Sequence, residues 1–279
     1  MRSLLLAALL LAPLPTLLSA ADALQVVNPV LSRSDDGVNE PAGTQHIGGE
    51  TLFFSCRIAH YAKTPELRVS LSYSVQAFDP KGVPLTEIYK NELMTEVAPQ
   101  DKEWLPKIVT EIQIPPLVGP GTYKVLVKAE DLYAKTSTEL AVEFAVRARD
   151  VAPSATLVVR NFQYMRGEED TQPLEKPVYK PGDPLWLRFD IIGFQYGPGN
   201  KIDVSYSASL LSPSGKVLWT QPEPAVERSE SFYPKRYVAA QMGLNLLPST
   251  RPGDYTMVIA VKDAVGGQSF EGKFPFTVQ

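Results

Sequence analysis

Leu52-Phe53-Phe54-Ser55-Cys56-Arg57-Ile58 alternates with a period of two. Leu52, Phe54, Cys56 and Ile58 fall on one side of an extended chain, and Phe53, Ser55 and Arg57 on the other. That is a strand with one buried face. Leu185-Trp186-Leu187-Arg188-Phe189-Asp190-Ile191 repeats the pattern 133 positions later. The same shift lays Leu24–Leu85 on Leu157–Leu218 without a gap, with Asn28 on Asn161, Gly49 on Gly182 and Ser72-Tyr73-Ser74 on Ser205-Tyr206-Ser207. A shift of 132 then lays Pro120, Gly121, Tyr123, Asp131 and Phe144 on Pro252, Gly253, Tyr255, Asp263 and Phe276. A constant offset over such stretches marks a tandem duplication.

Working outward, short alternating runs punctuated by Pro and Gly continue through both copies, and helical periodicity is absent. Strands are expected near 24–31, 51–59, 67–78, 84–91, 108–115, 122–130 and 137–146, and again near 157–164, 184–193, 202–212, 216–220, 240–247, 254–262 and 268–278. Asp79-Pro80-Lys81-Gly82 and Ser212-Pro213-Ser214-Gly215 have the residue order of type I turns. The expected fold is all-β: two tandem seven-stranded immunoglobulin-like sandwiches, at 24–148 and 149–279. Their short polar join predicts limited relative motion.

Residues 1–23 read as a cleaved signal peptide. Arg2 precedes an apolar run from Leu4 to Leu18 that Pro13 and Pro15 interrupt, and small residues follow. The reading places the mature protein in the periplasm or outside the cell, with no membrane insertion after cleavage. A net charge of -4 without a basic block disfavours nucleic acid. Cys56 is the single cysteine, so packing and not an internal disulfide must hold the domains.

Pro120-Gly121-Thr122-Tyr123-Lys124-Val125 and Pro252-Gly253-Asp254-Tyr255-Thr256-Met257 resemble the Gly-x-Tyr-x-Cys start of strand F in immunoglobulin-like domains, with Val125 or Met257 at the Cys position. The resemblance is to disulfide-free bacterial immunoglobulin-like and fibronectin-type-III-like modules. It implies that Tyr123 and Tyr255 form tyrosine corners. Tyr179-Lys180-Pro181-Gly182 is more weakly similar to a strand start in macroglobulin-type domains, from which Gln45–Glu50 of the first copy departs.

No residue pattern carries a catalytic signature, and no cofactor or metal is expected. Cys56 fits a small buried hydrophobe better than a nucleophile. His46 and His60 lack ligand spacing. Asp131 and Asp263 recur, and hairpin hydrogen bonding accounts for them better than calcium. Glu168-Glu169-Asp170 reads as a solvated loop. The candidate ligand-contact residues are aromatic: Phe194 and Tyr196 on one loop of the second copy, and Phe232, Tyr233 and Tyr237 on another. The first copy offers only His60-Tyr61 and Trp104 in their place. The alternative is that these rings tuck onto the sandwich edge or pack at the domain junction.

The expected function is a non-enzymatic extracytoplasmic binding or structural protein of a bacterium. It would contact an envelope protein or glycan through the loops of the second copy. Two other readings are a glycan-active hydrolase or its accessory subunit, which needs two converging carboxylates, and a periplasmic chaperone-like protein. The near-identical patterning of the copies and the acidic balance argue against the chaperone.

Overall fold

A computed structural model describes residues 23–101 and 103–279. Residues 1–22 of the expected signal peptide lie outside the described residues. Of the described residues, no helix is long and apolar enough to cross a membrane.

The first copy contributes β1 (Gln25–Ser32), β2 (Gln45–Ile47), β3 (Thr51–Ala59), β4 (Arg68–Phe78), β5 (Tyr89–Glu96), β6 (Lys107–Gln113), β7 (Gly121–Asp131) and β8 (Thr136–Arg147). They form a three-stranded sheet, β1-β3-β6, and a five-stranded sheet, β2-β8-β7-β4-β5. The second copy contributes β9 (Val158–Met165), β10 (Val178–Tyr179), β11 (Pro184–Ile192), β12 (Ile202–Leu211), β13 (Val217–Thr220), β14 (Ala225–Ser229), β15 (Val238–Asn245), β16 (Gly253–Asp263) and β17 (Gln268–Val278). Its sheets run β15-β11-β9 and β10-β17-β16-β12-β13, with β14 also on β12. Among the described residues, no sheet joins strands of both copies.

Each pair of sheets closes on its own core. Leu52, Phe54, Cys56 and Ile58 are buried in one cluster with Tyr123, Val125 and Val127. Leu185, Leu187, Phe189 and Ile191 are buried in the other with Tyr255, Met257 and Ile259. Alternation fixes the buried face, because a slip of one residue would expose every inward side chain.

The copies also share irregularities. The β1–β3 ladder shifts between Val27 and Val30, and the β9–β11 ladder shifts at the matching place. There Asn28 and Asn161 take positive φ, 51° and 50°. Asn tolerates this region better than most residues, and it carries the bulge in both copies. Tyr123 Oη donates to the Gly119 carbonyl at 2.7 Å, and Tyr255 Oη to the Arg251 carbonyl at 2.8 Å. Both are the corner bonds that the resemblance implies.

Strand number and one position differ from expectation. The described strands number eight and nine instead of seven and seven. β2 and β10 are too short to show alternation, and each runs parallel to the last strand of its copy. The fourth strand of the first copy was expected at 84–91 and lies at Tyr89–Glu96. Pro84 makes only an isolated bridge to Phe78. The ladder bonds on either side of it are made, from the Asp79 N–H to the Val83 carbonyl and from the Leu85 N–H to the Ala77 carbonyl, each at 2.9 Å, and regular pairing resumes only at Tyr89. Val217, its counterpart in the second copy, starts β13 directly.

Candidate functional site

The aromatic residues sit on two loops of the second copy, the β11–β12 loop and the β14–β15 connection. Gly193 starts the first loop with φ of +77°, and a Cβ there would lie 2.0 Å from the Thr156 carbonyl oxygen. Only glycine permits this close passage beside the chain that leads into β9. Pro198–Asn200 then makes one 3-10 turn. Asn200 Nδ2 donates to the carbonyls of Ser231 at 3.1 Å and Phe232 at 2.7 Å. Tyr196 Oη donates to the Lys235 carbonyl at 2.7 Å. Both loops are therefore tied to each other before any ligand arrives.

The structure divides the five candidate rings. Tyr196 and Phe232 are 43% and 48% exposed. Phe194 is buried, edge-on to Tyr196 with centroids 5.6 Å apart. Tyr233 and Tyr237 are buried at the join between the sandwiches. Buried rings offer no face to a ligand in this arrangement.

Tyr233 belongs to the hydrophobic core of the first copy, although it comes from the second. Its hydroxyl donates to Asp79 Oδ2 at 3.0 Å and accepts from Arg236 Nε at 3.0 Å. Arg236 Nη2 donates to the same Asp79 oxygen at 2.6 Å. The other Asp79 oxygen accepts the N–H groups of Lys81 and Val83, each at 2.8 Å. Asp79 has no exposed side-chain surface, so its charge needs all four partners. Burial raises the Tyr233 hydroxyl pKa well above the ordinary phenol value, against an opposing pull from Arg236. The phenol therefore stays a donor at any physiological pH. Arg236 also lies beside Gly119, where a Cβ would come within 2.9 Å of its guanidinium. Thus the second copy grips the first at its tyrosine corner.

A second set of contacts fixes the connecting segment. The Arg149 guanidinium lies 4.9 Å from the Tyr237 ring centroid and pairs with buried Asp190. Asn161 Nδ2 donates to the other Asp190 oxygen at 2.7 Å. Sequence reasoning missed Asp79, Arg149, Asp190 and Arg236. The one signal was Asp79 standing where the repeat has Ser212.

Most of the remaining singled-out residues are structurally engaged, and His60 is exposed. Cys56 is buried, and burial pushes its thiol up to about 12. That leaves little thiolate for nucleophilic chemistry. His46 is buried between Glu40 and Glu50 and edge-on to Phe144. It fills the place that Tyr179 takes against Phe276. Asp131 accepts from the N–H groups of Ala62, Tyr133 and Ala134; Asp263 accepts from those of Gln195, Val265 and Gly266. Each carboxylate staples its hairpin to the loop after β3 or β11. The loop at Glu168–Asp170 is held through its carbonyls by Arg188 and Gln241. No cluster of three or more His, Cys, Asp or Glu side chains with metal-binding geometry occurs among the described residues.

No family model and no curated protein sequence matches the chain. Among solved structures, the chain is similar to the C-terminal domain of the AgI/II polypeptide BspA from Streptococcus agalactiae. That alignment spans 90% of this chain and 100% of that one, at 9% identity and a TM-score of 0.31. A tetra-tandem repeat from the extending region of a large adhesion protein aligns over 92% of this chain and 50% of that one, at 11% identity and a TM-score of 0.26.

Proposed function

We propose that this is a non-enzymatic binding or structural protein of the bacterial periplasm or cell exterior, built from modules at 24–148 and 149–279. It binds an envelope protein or glycan through Tyr196 and Phe232. The observation that carries this reading is the pairing of exposure with fixation. Two half-exposed rings stand on loops already tied by the Asn200 and Tyr196 hydrogen bonds. Aromatic contacts on pre-organised loops bind with little ordering cost. Tyr233 and Tyr237 serve the same loop differently, by anchoring it to the first copy and to the connecting segment. The rings are thus presented from a fixed two-sandwich platform.

The test is binding of the full chain to glycan arrays and envelope extracts, with Tyr196→Ala and Phe232→Ala separately and together. Each single variant is expected to weaken binding about tenfold or more, as truncation of an aromatic anchor does. Unchanged binding by the double variant overturns the reading.

A further inference from the structure

β5 is the outermost strand of its sheet, pairing only with β4. All eight of its residues are exposed except Leu93 and Thr95, which are half-buried. An open strand of this length offers a row of backbone donors and acceptors to another strand. The second copy closes the matching edge. There β13 and β14 are separate pieces, with Pro222 and Pro224 between them. The break lies opposite Ser207, the counterpart of Ser74, which in the first copy pairs with Lys90. Proline and short pieces are the usual means of blocking an edge. At this edge of the larger sheet, only the first copy keeps an uninterrupted strand.

We propose that two copies of the chain join edge to edge through β5, antiparallel and two-fold symmetric about Asn91. In that register Ile88 faces Met94, Tyr89 faces Leu93, Lys90 faces Glu92, and Asn91 faces its own mate, each pair occurring twice except the last. Ile88 and Met94 are 43% and 72% exposed and would cover each other. Lys90 and Glu92 have no ion-pair partner among the described residues. The joint matches both charges, and opposite charges directly across a ladder stabilise it while like charges oppose it.

The neighbouring registers are worse. Centring on residue 90 sets Lys90 against Lys90, and centring on 92 sets Glu92 against Glu92. Registers centred between residues place inward side chains against outward ones, which the pleat forbids. The Glu92 N–H is met by Asn91 Oδ1 at 2.8 Å, a local bond that a pairing strand can replace. A shallow trough of about 840 Å³ crosses β8, β7, β4 and β5, and its lining includes Lys90, Asn91 and Glu92. Pairing at β5 would continue this trough into the second copy.

Sedimentation of the purified full chain over a concentration series tests the joint. The parent is expected to dimerise. K90E and E92K should each weaken the dimer about tenfold or more, since two attractive pairs become repulsive. A mixture of the two variants should regain the dimer, and so should the double variant K90E/E92K. N91C should form a covalent dimer on oxidation, because buried Cys56 cannot compete. A parent that remains monomeric at every concentration overturns the proposal. So does a dimer indifferent to both charge reversals, or one in which the mixture and the double variant fail to recover.

Discussion

Asp79 and Ser212 hold the same turn in the two sandwiches, and they show how a duplication becomes one object. Each side chain caps its turn. Asp79 accepts from Lys81 and Val83, and Ser212 accepts from Lys216 at 3.0 Å. The aspartate has a second oxygen, and that oxygen receives Tyr233 and Arg236 from the other copy. The serine has no second oxygen to offer, and its hydroxyl also meets Ser214 Oγ at 2.9 Å. One carboxylate oxygen therefore separates a turn that only closes a hairpin from a turn that also joins two domains. Repeated scaffolds keep the bonds that fold each unit and differ where the units meet.

The largest expected effect tests what the copies share. Asp131→Ala removes an acceptor from three backbone N–H groups, and Asp263→Ala does the same in the second copy. Both carboxylates are buried. Each substitution should cost about 3 kcal/mol, the range for orphaning several donors around one buried charge. Denaturant unfolding checks this. The comparison sharpens if the two losses agree within about 1 kcal/mol. It breaks if one copy tolerates the change.

A smaller effect tests the difference. Arg236→Ala leaves the Asp79 carboxylate buried with three neutral donors and no cation. Loss of one partner of a fully buried pair costs several kcal/mol. Arg236 keeps 31% of its side-chain surface exposed, so solvent screening reduces the figure to about 2 kcal/mol. The loss should appear at the joint. Small-angle scattering should broaden toward more extended shapes, and unfolding should separate into two transitions. A single unshifted transition with unchanged scattering would show that the joint does not depend on this cation.

The fold was legible because its causes are local and repeated. Alternation at Leu52–Ile58 and Leu185–Ile191 fixes the buried face, and Pro-Gly before Tyr123 and Tyr255 places the corner. The fourth strand of the first copy was misplaced because Pro84 looked like the start of a run. That stretch makes one bridge only, while the second copy pairs from Val217 onward. The candidate rings were legible as a cluster but not as a division. Nothing in Phe232-Tyr233 shows that one ring points to solvent and the other enters a neighbouring core. That depends on Asp79, which lies 154 residues away. Long-range polar pairing has no periodicity, so only the departure of Asp79 from Ser212 hinted at it.

The smallest expected effect is the most discriminating. Ser212→Asp installs the joint-forming residue of the first copy in the second. Aspartate suits the first position of a type I turn, and its carboxylate can accept the Lys216 N–H as the hydroxyl does. Among the described residues, only Ser214 and Lys216 hydrogen-bond to the side chain there, so the second oxygen remains in water. Stability should stay within about 0.5 kcal/mol of the parent, as for surface substitutions away from special features. Scattering should not change either. The measurement is denaturant unfolding beside Arg236→Ala. If Ser212→Asp shifts stability by as much as Arg236→Ala does, turn chemistry and not the reach of Tyr233 and Arg236 makes Asp79 different. The contrast between the two turns would then say nothing about how the sandwiches are joined.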